Sequence, residues 1–158
     1  MTKKNLALMM EWIRPAGIGL TIFFAYHSGK DEVSRFHIIG PLIVMLMSGT
    51  VAFESLLLGE VASEKIGYGL NREYQLQSGL ANAATAITAL LVYLLDWGRY
   101  AEATIVITML LFFTLSAAKH AVTAIMEGNM KPVNLLRPLM TLLLLVILLP
   151  HMIKALNQ

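Results

Sequence analysis

Four blocks of this chain stay apolar over about the 20 residues that a helix needs to cross a hydrocarbon core, and a fifth block comes close. In lipid every backbone N–H and C=O must be bonded within the chain, which leaves only helices or a closed barrel. Barrel strands alternate polar and apolar residues, whereas these blocks are continuously apolar. The sequence therefore predicts an all-α fold: a polytopic transmembrane helical bundle of five helices, or four if the first segment lies in the interface, in one integral membrane domain covering residues 1–158. Composition agrees. Charged residues are 14% of the chain, against about a quarter in soluble domains, and the mean hydropathy is +0.68.

The first segment, residues 5–27, contains WIRPAGIGLTIFFAY. Glu11 and Arg14 stand three apart, a spacing that lets them pair on one helix face, and Pro15 is placed to kink the helix or divide an interfacial piece from a spanning piece. The second, residues 36–59, carries Pro41 near its start and Glu54 near its end. The third runs from Tyr74 to Trp97 and the fourth from Tyr100 to Glu127. The Asp96-Trp97-Gly98-Arg99 turn between them is short enough to force an antiparallel hairpin, and Trp97 and Tyr100 suit an interfacial aromatic belt. The fifth, residues 134–154, opens with Asn134 as a helix cap and Pro138 close behind, then becomes a leucine run suited to lipid exposure. The longest connection, GEVASEKIGYGLNR, holds three glycines and reads as a mobile or functional loop.

There is no cysteine, which excludes disulfides, thiolate metal sites and cysteine nucleophiles. The net charge is +2 with the basic residues dispersed, so no nucleic-acid footprint is present. The N-terminus begins like a signal peptide, but Glu11 and Arg14 interrupt it with no small-residue cleavage site after them, and it is read as retained. With five spans, Lys3, Lys4, Lys65, Arg72 and Lys131 share one side against Lys30, Arg35, Arg99 and Lys154 on the other. The positive-inside rule then puts the N-terminus in the cytoplasm, in a multi-pass protein of the inner (cytoplasmic) membrane. The expected partners are the lipid bilayer and either further copies of the chain or a membrane-complex partner.

Ionisable and amide side chains at bilayer depth are costly and ask for partners. In the third segment Asn71, Gln75, Ser78, Asn82 and Thr85 recur at helical spacing, making one polar face beside a small-residue stripe of Gly79, Ala83 and Ala86. The fourth segment carries a matching face of Ser116, His120, Thr123 and Glu127. Both faces lie towards the same membrane side and are placed to meet each other. Glu54 and Arg137 lie towards that side too, giving a predicted cluster of Glu54, Gln75, Asn82, His120 and Arg137. The amide and hydroxyl faces also fit plain interhelical packing, His120 fits an interfacial position, and Lys119 and Arg137 fit snorkelling. Glu54 has no local partner and requires either a functional role or an ion pair essential to assembly. No Glu-x-x-His or His-x-x-x-His pair is present, and no two histidines make an obvious haem pair. No metal or cofactor is expected, and the methionines suit packing or lipid contact.

The series Glu54, Gly67-Tyr68, Arg72-Glu73-Tyr74-Gln75-Leu76-Gln77, Gly79-Leu80-Ala81-Asn82, His120, Gly128-Asn129, Pro132, Asn134 and Arg137-Pro138 resembles a family of small multi-span prokaryotic membrane proteins of unknown function, over about residues 50–150. The resemblance implies a polar site made by Gln75, Asn82, His120, Asn129 and Asn134, and implies no activity. More loosely, REYQLQSGLAN followed by an apolar helix is similar to the membrane-associated eicosanoid and glutathione metabolism proteins, small trimeric four-helix enzymes. That likeness implies a lipid- or glutathione-dependent enzyme with Arg72, Tyr74 and Gln75 as binders. The acidic residue expected after the asparagine is replaced by residues 83–86, which are uncharged.

The reading that combines these features is a non-enzymatic membrane protein with an intramembrane polar pocket that binds or translocates a small ligand, ion or lipid. Its candidate ligand-binding residues are Glu54, Arg72, Gln75, Asn82, His120, Asn134 and Arg137. The alternatives are an accessory subunit of a larger membrane complex and the membrane enzyme just described.

Overall fold

The computed structural model describes residues 2–158. These described residues form six helices: α1 (Lys3–Ser28), α2 (Glu32–Leu57), α3 (Gly59–Ile66), α4 (Arg72–Leu94), α5 (Arg99–Met126) and α6 (Pro132–Leu156). All except α3 are long and apolar enough to cross a membrane. The short α1–α2 and α4–α5 turns fold consecutive helices back on each other. The N-terminus, α3 and the α5–α6 connection therefore gather at one end, called near, and the two turns and the C-terminus gather at the other, called far. Lys3 and Lys4 reach Glu60 and Glu64 of α3 at the near end, and Arg99 donates to the Ala155 carbonyl at the far end.

Helix α2 is the hub, packing against each of the other five helices. It is apolar on all sides, as a helix buried all round must be. Its Phe36, Ile39, Ile43 and Val44 interlock with Val106 and Met109 of α5 and Leu144 and Leu148 of α6 to form the core. The outward faces remain apolar: Leu111, Leu115, Ile125, Leu139, Leu142 and Val146 are all exposed.

Local chemistry sets the ends. Asp31 caps α2 in a capping box, accepting from the Ser34 N–H at 2.7 Å while Ser34 Oγ accepts from the Asp31 N–H. The bonds from the Ser34 N–H and hydroxyl hold the Asp31 carboxyl below its ordinary range. Asn71 caps α4 by accepting from the Tyr74 N–H at 3.0 Å.

The first segment takes the undivided form: α1 runs unbroken through Pro15 and is long and apolar enough to span. Three expectations change. The predicted glycine-rich loop contains α3, a two-turn helix with Glu60 in its first turn and Lys65 in its last, both favourable to the helix dipole. It stops at Gly67, whose φ of 77° is left-handed, with the Tyr68 N–H closing back on the Ser63 carbonyl. Asn134 is not the cap of the last helix. Pro132 takes the first helical position, and Asn134 is fully buried inside the first turn. Finally, α4 packs chiefly against α2 and only slightly against α5, so the two polar faces do not lie against each other. The small-residue stripe explains this pairing: a Cβ on Gly79 would stand 2.7 Å from the Leu56 side chain and 3.2 Å from Ser55 Cβ, so α4 approaches α2 at a distance only glycine permits.

Candidate functional site

The near half of the bundle holds a partly open cavity of about 540 Å³ lined by residues of all six helices. Its apolar wall includes Trp12, Val51, Phe112, Phe113, Met140 and Leu144, and its polar wall carries an ion cluster. Glu54 is the centre of that cluster. Its Oε2 accepts from Arg14 Nη2 at 2.6 Å and its Oε1 from Lys65 Nζ at 3.1 Å. Arg14 also pairs with Glu11 at 3.2 Å, and Lys65 donates to Glu11 as well. Arg14 Nε donates to Thr50 Oγ1 at 3.0 Å. The side chains of Arg14 and Glu54 are only 12% and 6% exposed, so each charge depends on the other for the solvation it has lost.

Next to this cluster lies a second network about His120, which is buried on α5. Tyr68, held just past the left-handed Gly67, stacks on the imidazole at 5.5 Å and 11°, and its hydroxyl reaches Thr123 Oγ1 at 3.3 Å. Asn134 Oδ1 lies 2.8 Å from His120 Nδ1, and Arg137 Nη1 is bonded to Nε2. A guanidinium can only donate, so Nε2 presents its lone pair to Arg137 and Nδ1 carries the hydrogen given to Asn134. The Asn134 amide then donates to the carbonyls of Ile66 and Asn129, both at 3.1 Å. Asn129 in turn donates to the Ile66 carbonyl at 3.1 Å. These bonds tie the α3 terminus to the α5–α6 connection.

Of the residues expected from sequence, Glu54, Gln75, His120 and Arg137 line the cavity together, with Ser78 and Ser116 beside them. Gln75 donates to the Gly59 carbonyl at 2.8 Å and to Ser63, clamping α3 onto α4. Arg137 does not snorkel outward; it turns in to His120. Three residues stand elsewhere. Arg72 donates to the Ser55 and Leu56 carbonyls at 3.3 and 3.0 Å, capping the C-terminus of α2. Asn82 is buried with its amide on the Ser78 carbonyl of its own helix. Asn134 stands behind His120 and positions it. Glu127 and Tyr74 are exposed.

The residues that spacing alone missed are Lys65 and Tyr68. Both lie on or next to α3, where the glycines suggested a loop. The four-residue spacing of Ala62 and Ile66, with Glu60 at the start, Lys65 at the end and Gly67 just beyond, was the available signal for a short helix. Glu11 and Arg14 were read as a pair, but nothing local linked them to Glu54.

Fold and site together define a small helical bundle, with five helices of membrane-spanning character, built around a charged, partly apolar cavity. The chain belongs to a family of unknown function, DUF6790, whose model matches residues 31–157. The match covers α2 to α6 and leaves α1, the source of Glu11, Trp12 and Arg14, outside it. No curated protein and no solved structure matches the chain.

Proposed function

We propose that the chain is a multi-span membrane protein whose near-end cavity binds a small anionic amphiphile, such as an acyl carboxylate or an acyl phosphate ester. One observation carries this reading: the cavity holds Arg14, Lys65 and Arg137 against only Glu11 and Glu54. Arg137 has no carboxylate within ion-pair distance among the described residues, and its neighbour His120 meets it with a lone pair. A surplus cation in a largely desolvated site favours an anion, and the phenylalanine, methionine and leucine walls suit an apolar tail. The volume falls within the range of small-molecule pockets. The cavity lies inside the apolar zone of the helices, which favours ligands that partition into the bilayer.

The test is native mass spectrometry and thermal denaturation of the purified chain in non-ionic detergent with a C16 carboxylate, its uncharged glycerol ester and its amine. The carboxylate should bind with one molecule per chain and raise the melting temperature; the ester and amine should not. Replacing Arg137 by Gln removes a charge-assisted hydrogen bond of about 1.5–3 kcal/mol, weakening binding by roughly 10- to 150-fold. Equal binding of all three amphiphiles, or unchanged binding in the Arg137→Gln variant, would sink the proposal.

A further inference from the structure

The far end of the bundle presents a second constellation, separate from the cavity. Glu102 lies in the first turn of α5, with its side chain 2% exposed. Its Oε1 is 2.5 Å from His37 Nδ1 of α2, while its Oε2 is buried without a partner among the described residues. The third member, Asp96, stands in the α4–α5 turn with Oδ1 3.9 Å from the same imidazole nitrogen and its side chain 82% exposed. Its φ of 46° is left-handed. Tyr93 stacks on the His37 ring at 4.9 Å and 23°, fixing the direction of Nδ1.

We propose that His37, Asp96 and Glu102 form a binding site for one divalent first-row transition-metal ion, of the class of Zn²⁺, Mn²⁺ or Co²⁺. The donor atoms all lie within 4.8 Å of one another. Ligand bonds of about 2.0–2.2 Å bring three such donors round one ion with a small inward movement of the exposed Asp96. The buried orphan oxygen is the second, independent sign. An imidazole hydrogen bond satisfies one oxygen of Glu102 and leaves the other paying its full desolvation cost, whereas a cation is able to engage both. One imidazole and two carboxylates select a first-row transition ion over Mg²⁺ and Ca²⁺, which take oxygen ligands almost exclusively. Two ligands sit on rigid helices, and the third lies on a turn at the surface, which gives the ion its route in. Three protein ligands leave coordination positions for water. The expectation of no metal rested on the absence of a two-ligand helical motif. Here each ligand comes from a different element, so no local spacing announces the site.

The experiment uses the full chain carrying no affinity tag, stripped with chelator in detergent. Zn²⁺ is titrated calorimetrically, and Co²⁺ by its visible ligand-field absorption. One ion per chain is expected, with no competition from millimolar Mg²⁺ or Ca²⁺. Asp96→Asn, on the exposed turn, keeps the fold and should weaken binding at least about tenfold, by comparison with the effect of losing an outer-shell partner. His37→Gln should abolish it, with circular dichroism and melting recorded to show that the variant is folded. His120→Gln, at the other end, should bind the ion as the native chain does. Absence of Zn²⁺ and Co²⁺ binding overturns the proposal, as does binding that survives Asp96→Asn or a folded His37→Gln variant, or preference for Mg²⁺ or Ca²⁺.

Discussion

Replacing Glu54 by Gln preserves side-chain shape and deletes one charge from the centre of the near-end cluster. In the native chain this carboxylate meets Arg14 at 2.6 Å and Lys65 at 3.1 Å. Breaking a buried ion pair by removing one partner costs about 3–5 kcal/mol, most of it the penalty of stranding the other charge. Arg14 is not wholly stranded, because Glu11 stays 3.2 Å away, and the new amide oxygen still accepts a hydrogen bond. The lower end, about 3 kcal/mol, is the appropriate figure. For a chain of this size each kcal/mol moves the melting temperature by about 2–4 °C, so Glu54→Gln should melt roughly 6–12 °C below the native protein. A double-mutant cycle isolates the pair. Arg14→Gln alone should also be strongly destabilised, and the Arg14→Gln/Glu54→Gln double variant should be less destabilised than the sum, with a coupling of about 1–3 kcal/mol. The assay is detergent melting followed by far-ultraviolet circular dichroism. A Glu54→Gln variant that melts within about 2 °C of native, or single effects that simply add, would refute the assignment of Glu54 to a buried pair with Arg14.

Gly79→Leu places a side chain where a Cβ alone meets Leu56 at 2.7 Å; it should separate α4 from α2 and cost at least about 1–3 kcal/mol, read as a lower melting temperature. Gly67→Ala forces a side chain into the left-handed region at the end of α3, at φ 77°. It should cost about 1–2 kcal/mol and disturb the Tyr68 stacking on His120, seen as altered near-ultraviolet dichroism. The absence of native cysteine makes topology directly measurable. Lys30→Cys should react with a membrane-impermeant maleimide in intact cells, and Lys131→Cys only after permeabilisation. The same pattern at both positions would contradict five spans.

The five long helices were legible because lipid-scale apolar length is a property of contiguous sequence. The Glu11–Arg14 pair and the polar faces through Gln75 and His120 were legible because helical periodicity is local. Periodicity fixes which residues share a face and leaves open which neighbour that face meets. The helices are so uniformly apolar that little in their sequences distinguishes one neighbour from another. Gly79 and its small neighbours showed that some helix comes close; only the structure makes that helix α2. Glu54 found its partners on α1, 40 residues away, and on α3, 11 residues away, where no local pattern reached. Glu102 was open to the same reasoning as Glu54, being a lone carboxylate among apolar residues in AEATIVIT, but it stands in the first turn of a helix, where a carboxylate needs no buried partner to account for it. Asn134 resembled a cap because Pro138 and an apolar run follow it; its role came from His120, across the bundle.

The central claim is that the near-end cavity takes an anionic amphiphile against its surplus cation. Trp12 lines that cavity, so in a Trp97→Phe variant it becomes the only tryptophan and reports occupancy. The decisive measurement is quenching of Trp12 by a brominated C16 carboxylate and by its uncharged glycerol ester at equal concentration. Saturable quenching by the carboxylate, displaced by its unbrominated counterpart and weakened by Arg137→Gln, is the predicted result. Identical, non-saturating quenching by acid and ester would contradict it.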